Sequence, residues 1–301
     1  MIRNVYIPLK RCFFYFLIIF AVSIPVQAQE ELNANPAIWR LDHNSASLYL
    51  LGSVHLLPDN INWYGGTIEQ IVNDADEVVF EVHLTPEKEA RSTQIVLANG
   101  IFQNGDTLSN YLEEEEYNTL MSLAQTYGFP GSAISTLKPW YASVVLSVNA
   151  IIKQGWNPNS GVDKSIEKIA ATQGKLISEL ETVEFQMSTL YDHPLEVQAE
   201  MLKDTLVQLQ DINAVTLEMV DAWASGDAER MNVAFLEPMK LQEEIYNKLV
   251  LQRNRNWIPV IENLINKDQV TLVVAGVAHF IGDDGIIGML EEKGYKVTRM
   301  Q

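Results

Sequence analysis

Two stretches of this chain repeat one another from opposite ends. Leu48-Tyr49-Leu50-Leu51-Gly52-Ser53-Val54-His55 aligns with Leu272-Val273-Val274-Ala275-Gly276-Val277-Ala278-His279, each an apolar run, a glycine, two residues and a histidine. More than two hundred residues separate the histidines, so local helix geometry does not relate them. A buried strand that ends in glycine can turn sharply and let other backbone come close. The histidine behind it is presented at the carboxyl end of the strand, where sites on open α/β sheets collect. If the two strands are neighbours, both imidazoles face one crevice. Gly-x-x-His alone is common by chance. The shared context, with Asp59 and Asp283 at matching offsets, gives this pair its weight.

Other signals agree with a sheet drawn from both ends. Glu77-Val78-Val79-Phe80-Glu81-Val82-His83-Leu84 is rich in β-branched residues and stops at Pro86. Strand alternation there puts Val79, Glu81 and His83 on one face. A carboxylate amid Val and Phe is expensive to bury without a partner, which makes Glu81 a candidate for chemistry. Residues 108–267 carry helical periodicity, broken at Gly128–Gly131, Asn157–Gly161, His193-Pro194 and Ser225–Asp227. One short strand is expected inside that region, at Lys175–Leu180, after Gly174. Strand, helix and strand then return over 270–275, 285–293 and 295–300. The expected fold class is α/β: a central sheet with strands from both chain ends and a large helical insertion over about 108–267. Glu113–Glu116 reads as a solvated helix start, where negative charge complements the dipole. Gly282-Asp283-Asp284-Gly285 reads as the N-cap of helix 285–293. Trp140 and Tyr141 read as core packing.

The formal net charge is −18, which repels phosphate backbones and argues against nucleic acid as a partner. Residues 1–28 contain Arg3, Lys10, Arg11 and an apolar run from Cys12 to Val22, then Val26-Gln27-Ala28. This is the pattern of a secretory leader, cleaved before Gln29. The apolar run is shorter than the roughly 20 residues of a spanning helix. Cys12 is the single cysteine, so a chain starting at Gln29 has no thiol, no disulfide and no thiolate metal site. The expectation is an exported protein, periplasmic or secreted, with one domain over 29–301 and no membrane span after leader removal.

His55, His279 and Glu81 together form a nitrogen-and-oxygen donor set suited to Zn, Mn, Co or Fe, with room for water. The plainer alternative is two satisfied core histidines and an ordinary edge carboxylate. There is no His-Glu-x-x-His helix, Gly-x-Ser-x-Gly elbow, Walker loop or dinucleotide fingerprint.

On these residues the chain resembles the TraB/GumN family, which includes the Tiki metalloproteases. The resemblance spans roughly 36–301. It rests on Gly52/His55, Gly276/His279 and Glu81, and on Lys138-Pro139-Trp140 and Gly161-Val162-Asp163. It continues through Leu180-Glu181-Thr182-Val183-Glu184-Phe185-Gln186, Arg253-Asn254 before Trp257, and Gly294-Tyr295. The resemblance implies an α/β core with a helical insertion and a divalent metal near His55 and His279. It also implies the hydrolysis of peptide bonds known for Tiki members. Glu81 is then ligand or general base, and Arg253 with Asn254 completes the catalytic set. Arg253 reads either as a clamp for a carboxylate or developing oxyanion, or as a helix-surface arginine in a salt bridge. The pattern is doubled in Arg255-Asn256, and the spacing to Trp257 favours the first pair. His83 stands where the family more often has an acidic residue, and reads as solvent-facing rather than as an extra ligand. The expected function is an exported metal-dependent hydrolase of peptidase type, taking a peptide or small protein, with Mn, Co or Zn as the metal. The alternative is a non-catalytic protein on the same scaffold that sequesters a peptide, a metal or a haem-like ligand.

Overall fold

The structure, a computed structural model, describes residues 32–301. The leader expected at 1–28, with Cys12, lies outside the described residues. Ile38–His43 (β1) and Ala46–Ser53 (β2) form an antiparallel hairpin whose two-residue turn holds Asn44 at φ 54°. Asparagine is one of the few side chains that enter that left-handed region readily. Four more strands complete the sheet: Glu77–Phe80 (β3), Leu176–Glu179 (β4), Val270–Gly276 (β5) and Val297–Arg299 (β6). The order is β6-β1-β2-β5-β3-β4. β2, β5, β3 and β4 run parallel, and the β1 hairpin and β6 extend the sheet antiparallel at one side.

This is the mixed α/β architecture expected, with strands from both ends of the chain in one sheet. β5 enters the sheet between β2 and β3, so the two repeated strands are hydrogen-bonded neighbours. Gly52 pairs with Ala275 and Ser53 with Gly276, so the two Gly-x-x-His turns leave the sheet side by side. Consecutive residues Val78, Val79 and Phe80, and likewise Leu272 to Ala275, are buried. Strands buried on successive residues must be covered on both faces, which is why they read as unbroken apolar runs.

Helices supply the cover. Gly66–Asp74 (α1) links β2 to β3, Val162–Thr172 (α2) precedes β4, and Gln252–Ile265 (α3) precedes β5. α3 buries Trp257, Ile258, Ile261, Leu264 and Ile265 on one stripe against the sheet core. The helical region has a core of its own, in which Leu120, Ala124, Leu146, Leu202 and Leu206 pack together. Helices there end at Thr126, Lys153, Tyr191 and Ser225, each at one of the expected breaks.

Three local expectations need correction. β3 stops at Phe80, so Glu81 stands just past the carboxyl end of the strand rather than within it. The last strand covers Val297–Arg299 rather than 295–300. The helix after Gly285 begins at Ile286, with no side-chain cap from Asp283 or Asp284. Asp284 is engaged elsewhere: its carboxylate accepts the Tyr246 hydroxyl and its carbonyl accepts the Asn254 amide.

Candidate active site

The carboxyl ends of β2, β3 and β5 bring His55, Glu81 and His279 into one neighbourhood, with Arg253 from α3. Close backbone approach makes this possible. A side chain on Gly52 would put its Cβ 2.7 Å from Val277 Cγ2, in the partner turn. A Cβ on Gly161 would fall 2.2 Å from the His55 carbonyl oxygen, inside any permitted contact. Both positions need glycine because other atoms already fill the space. Buried Trp223 then donates its indole N–H to the Gly52 carbonyl at 3.0 Å, holding the first turn against the helical region.

His279 is almost fully buried and its protonation is legible from its partners. The Asn254 amide nitrogen donates to the Asp284 carbonyl at 2.9 Å, which turns the Asn254 oxygen toward His279 Nδ1, at 2.7 Å. That oxygen only accepts, so Nδ1 carries the proton. On the other side Arg253 Nη1, which only donates, lies 2.9 Å from Nε2. His279 is therefore neutral with its lone pair on Nε2. Burial, and then the charge of Arg253, push its pKa down to about 3.

Glu81 is held as an anion. Burial opposes its charge, yet Arg253, followed by the two histidines and the Gly276 N–H, holds its carboxyl well below the usual range. Arg253 Nη2 lies 2.5 Å from Oε2, the Gln186 amide donates to Oε2 at 3.0 Å, and the Gly276 N–H donates to Oε1 at 2.8 Å. His279 Nε2 lies 3.9 Å from Oε1.

Arg253 also reaches a second buried carboxylate. Its Nε and Nη2 donate to Glu181 at 3.0 and 2.7 Å, and the Trp257 indole donates to Glu181 at 2.9 Å. The guanidinium sits 4.7 Å from the Trp257 ring centroid. Burial raises the pKa of Glu181, with Arg253 and Trp257 opposing that rise. Arg253 is thus neither a surface arginine nor a free anion clamp: its anions are the chain's own. Arg255 and Asn256 are exposed, so the first Arg-Asn pair is the one at the site.

His55 differs from His279 in exposure and in charge. Its side chain is 64 % exposed, and its Nδ1 lies 2.8 Å from Asp163 Oδ2. Asp163 is tied down in turn by the Ser53 hydroxyl, 2.5 Å from Oδ1. The Asp163 charge lifts the His55 pKa to about 9, against the opposing effect of desolvation. With a side chain this exposed, solvent screening weakens that pull relative to a buried pair. Both histidines thus have Nδ1 held by an oxygen of the chain, which leaves Nε2 as the nitrogen available to a ligand, at His55 once its Nε2 proton is lost. His55 and Glu81 line one cavity of about 300 Å³, together with Asp163, Lys164, Glu167 and Gln186.

As arranged, no group of three His, Asp or Glu side chains among the described residues converges closely enough to hold an ion. The chemistry of the donors suits a divalent metal: two imidazole Nε2 atoms with their tautomers set from behind, and one ionised carboxylate. The competing group is Arg253, which bridges His279 Nε2 and Glu81 Oε2 as a cation of the chain itself. Binding an ion at all three donors requires Arg253 to leave Nε2.

His83 is not simply solvent-facing. It is 32 % exposed and its Nδ1 lies 2.5 Å from Glu167 Oε1 on α2. Three residues carry more of this site than the motifs suggested: Asp163 behind His55, Glu181 behind Arg253, and Gln186 on Glu81. All lie in the segments Gly161-Val162-Asp163 and Leu180–Gln186, which the sequence marked as matching the family without giving them a task.

The TraB/PrgY/gumN family model matches residues 37–299, and the chain belongs to that family. A sponge protein, the Metalloprotease TIKI homolog of Amphimedon queenslandica, is 30 % identical over 78 residues, covering 25 % of this chain and 13 % of that protein. The match spans only a small part of that relative's length. No solved structure matches the chain.

Proposed function

We propose that this chain is an exported, periplasmic or secreted, metal-dependent hydrolase that cleaves peptide bonds. The observation that carries the reading is the matched pair of imidazoles. Each has Nδ1 anchored to an oxygen, Asp163 for His55 and Asn254 for His279, beside the ionised Glu81. This is the tautomer control that ligand histidines need. The sponge relative named as a metalloprotease supports the same direction.

His55, His279 and Glu81 are the residues that would hold Mn, Co or Zn. Such an ion supplies a polarising charge and a bound water whose pKa falls from 15.7 to about 7. The chain's own groups divide the remaining work. Glu81, held far below the usual carboxylate range, is a poor proton acceptor while Arg253 rests on it, so its better role is ligand. Arg253 stays anchored to Glu181 through Nε, and the Nη groups that it would withdraw from His279 and Glu81 become donors for negative charge developing on a carbonyl oxygen. Asn254 and Asp163 are positioning residues that orient His279 and His55.

One observation favours a second reading, a binding protein that sequesters its ligand. Arg253 already satisfies Glu81 and His279 Nε2, so both groups have a partner without an ion. Metal analysis of the purified protein, coupled to a peptide-cleavage screen with added Mn, Co or Zn, separates the two. Under the hydrolase reading Glu81→Gln lowers metal affinity roughly tenfold or more, and turnover at limiting metal falls with it. Peptide binding with no metal uptake and no cleavage would establish the sequestering reading instead.

A further inference from the structure

Both Gly-x-x-His turns contribute to a second cavity of about 300 Å³. Val54 comes from the first turn, Val277 and Ala278 from the second, and Ile151, Met219 and Phe235 from the helical region. Among the residues lining it His55 is the only ionisable one, and His55 also lines the Glu81 cavity, so the two spaces share that residue. The Glu81 cavity shares Leu84, Lys164 and Glu167 with a wider cleft of about 970 Å³. The result is a series of adjoining spaces with His55 and Glu81 in the middle one and the most apolar space at one end. A series of this kind suits an extended chain rather than a single small metabolite. An apolar volume of 300 Å³ is at the small end of ligand pockets, the size for one bulky side chain.

We propose that this apolar cavity is the pocket for a bulky apolar side chain of a peptide, adjacent to the bond that lies over His55 and Glu81. The cleavage part rests on the hydrolase reading; the binding part does not. The residues between glycine and histidine in each turn then have a task of their own. They place a wall of the specificity pocket within two residues of each imidazole, so the bond is registered against the site by the side chain beside it.

The test reads binding and cleavage separately. With the methionine methyl groups labelled with carbon-13, and Met219 assigned through Met219→Leu, N-acetyl-phenylalanine amide at millimolar concentration should shift the Met219 methyl signal. N-acetyl-alanine amide at the same concentration should leave it in place. Ile151→Trp, which fills the cavity, should weaken the phenylalanine probe roughly tenfold or more, whereas Ile151→Met, which keeps an apolar wall, should retain it. In the cleavage screen, kcat/KM for peptides with Phe or Leu beside the scissile bond should exceed that for Ala by about 10–200-fold, the range for apolar pocket discrimination. Ile151→Trp should collapse that ratio toward one. A Met219 signal unmoved by the phenylalanine probe, or a probe that binds Ile151→Trp as well as wild type, overturns the proposal. A Met219 shift with no peptide cleaved under any metal leaves the pocket standing and removes the hydrolase reading.

Discussion

Replacing Arg253 by methionine removes the cation that two buried carboxylates share while keeping most of the side chain's apolar stem. Wild-type Arg253 makes close contacts to Glu81, to both oxygens of Glu181 and to His279. Taking one partner from a buried ion pair costs about 3–5 kcal/mol, because the other charges stay buried without compensation. For a chain of this size that is a fall in Tm on the order of 10 °C. The loss depends on pH in a definite sense. In the wild type the depressed pKa of Glu81 gives stability that is present above the unfolded value, about 4.3, and is lost as pH falls through the folded value. In the variant, burial and the Glu181 charge act without Arg253 and raise the Glu81 pKa above its unfolded value. Stability is then lost as pH rises. The gap between the two proteins should therefore be widest near pH 7 and close toward pH 4. Urea unfolding followed by circular dichroism at pH 4.5, 5.5 and 7, with chelator present, measures it. Without chelator, Mn or Zn should recover more stability in the variant than in the wild type, since Glu81 and His279 Nε2 are freed. An ion at 100 times its Kd restores about 2.7 kcal/mol. A gap below about 1 kcal/mol at pH 7, or one equal at all three pH values, refutes the account of Arg253 as a buried counter-charge.

Three further outcomes are expected. Asp163→Asn should bring the His55 pKa, read from its ring proton signals in an NMR titration, down from about 9 toward the ordinary histidine value. Metal uptake should begin at lower pH in that variant but end about 10–100-fold weaker, as for other lost partners of ligand histidines; an unmoved His55 titration contradicts the pairing. Gly161→Ala must displace the His55 backbone, and thermal unfolding should show a loss of about 1–3 kcal/mol, the usual cost of overpacking. An unchanged melt would mean that the close approach there is not required. Mass spectrometry of the protein from its native envelope should find an N-terminus at Gln29, and a chain retaining Cys12 would overturn the expectation of a cleaved leader.

How far the sequence could be read depended on distance along the chain. Apolar runs, glycine stops and proline breaks act within a few residues, and they located β2, β3, β4 and β5 and the helix ends at Thr126, Lys153, Tyr191 and Ser225 to within a few residues. β1 escaped notice because Arg40 and Asp42 interrupt a short run whose strand character depends on pairing with β2 and β6. The paired histidines could be recognised because their contexts repeat. Their supports could not: Asp163 lies 108 positions from His55, and Glu181 lies 72 positions from Arg253. No window of periodicity spans such gaps, and only the topology determines which carboxylate meets which cation. Asp284 shows the opposite failure. Its setting read correctly as a turn before a helix, but its carbonyl was drawn to Asn254 instead of its side chain to the helix start.

The insertion of β5 between β2 and β3 sets the order in which this protein can come into being. A ribosome that has reached Lys267 has already made Gly52, His55, Glu81 and Arg253. It has made neither the strand that separates β2 from β3 nor His279. Until that strand arrives, the two early strands lack their middle neighbour and the early histidine has no counterpart. Such long-range pairing is slow, because a long loop must close before any contact rewards it. A nascent or truncated chain therefore carries no working centre. Under the proposed hydrolase reading, this delays any hydrolytic capacity until the final strands are in place.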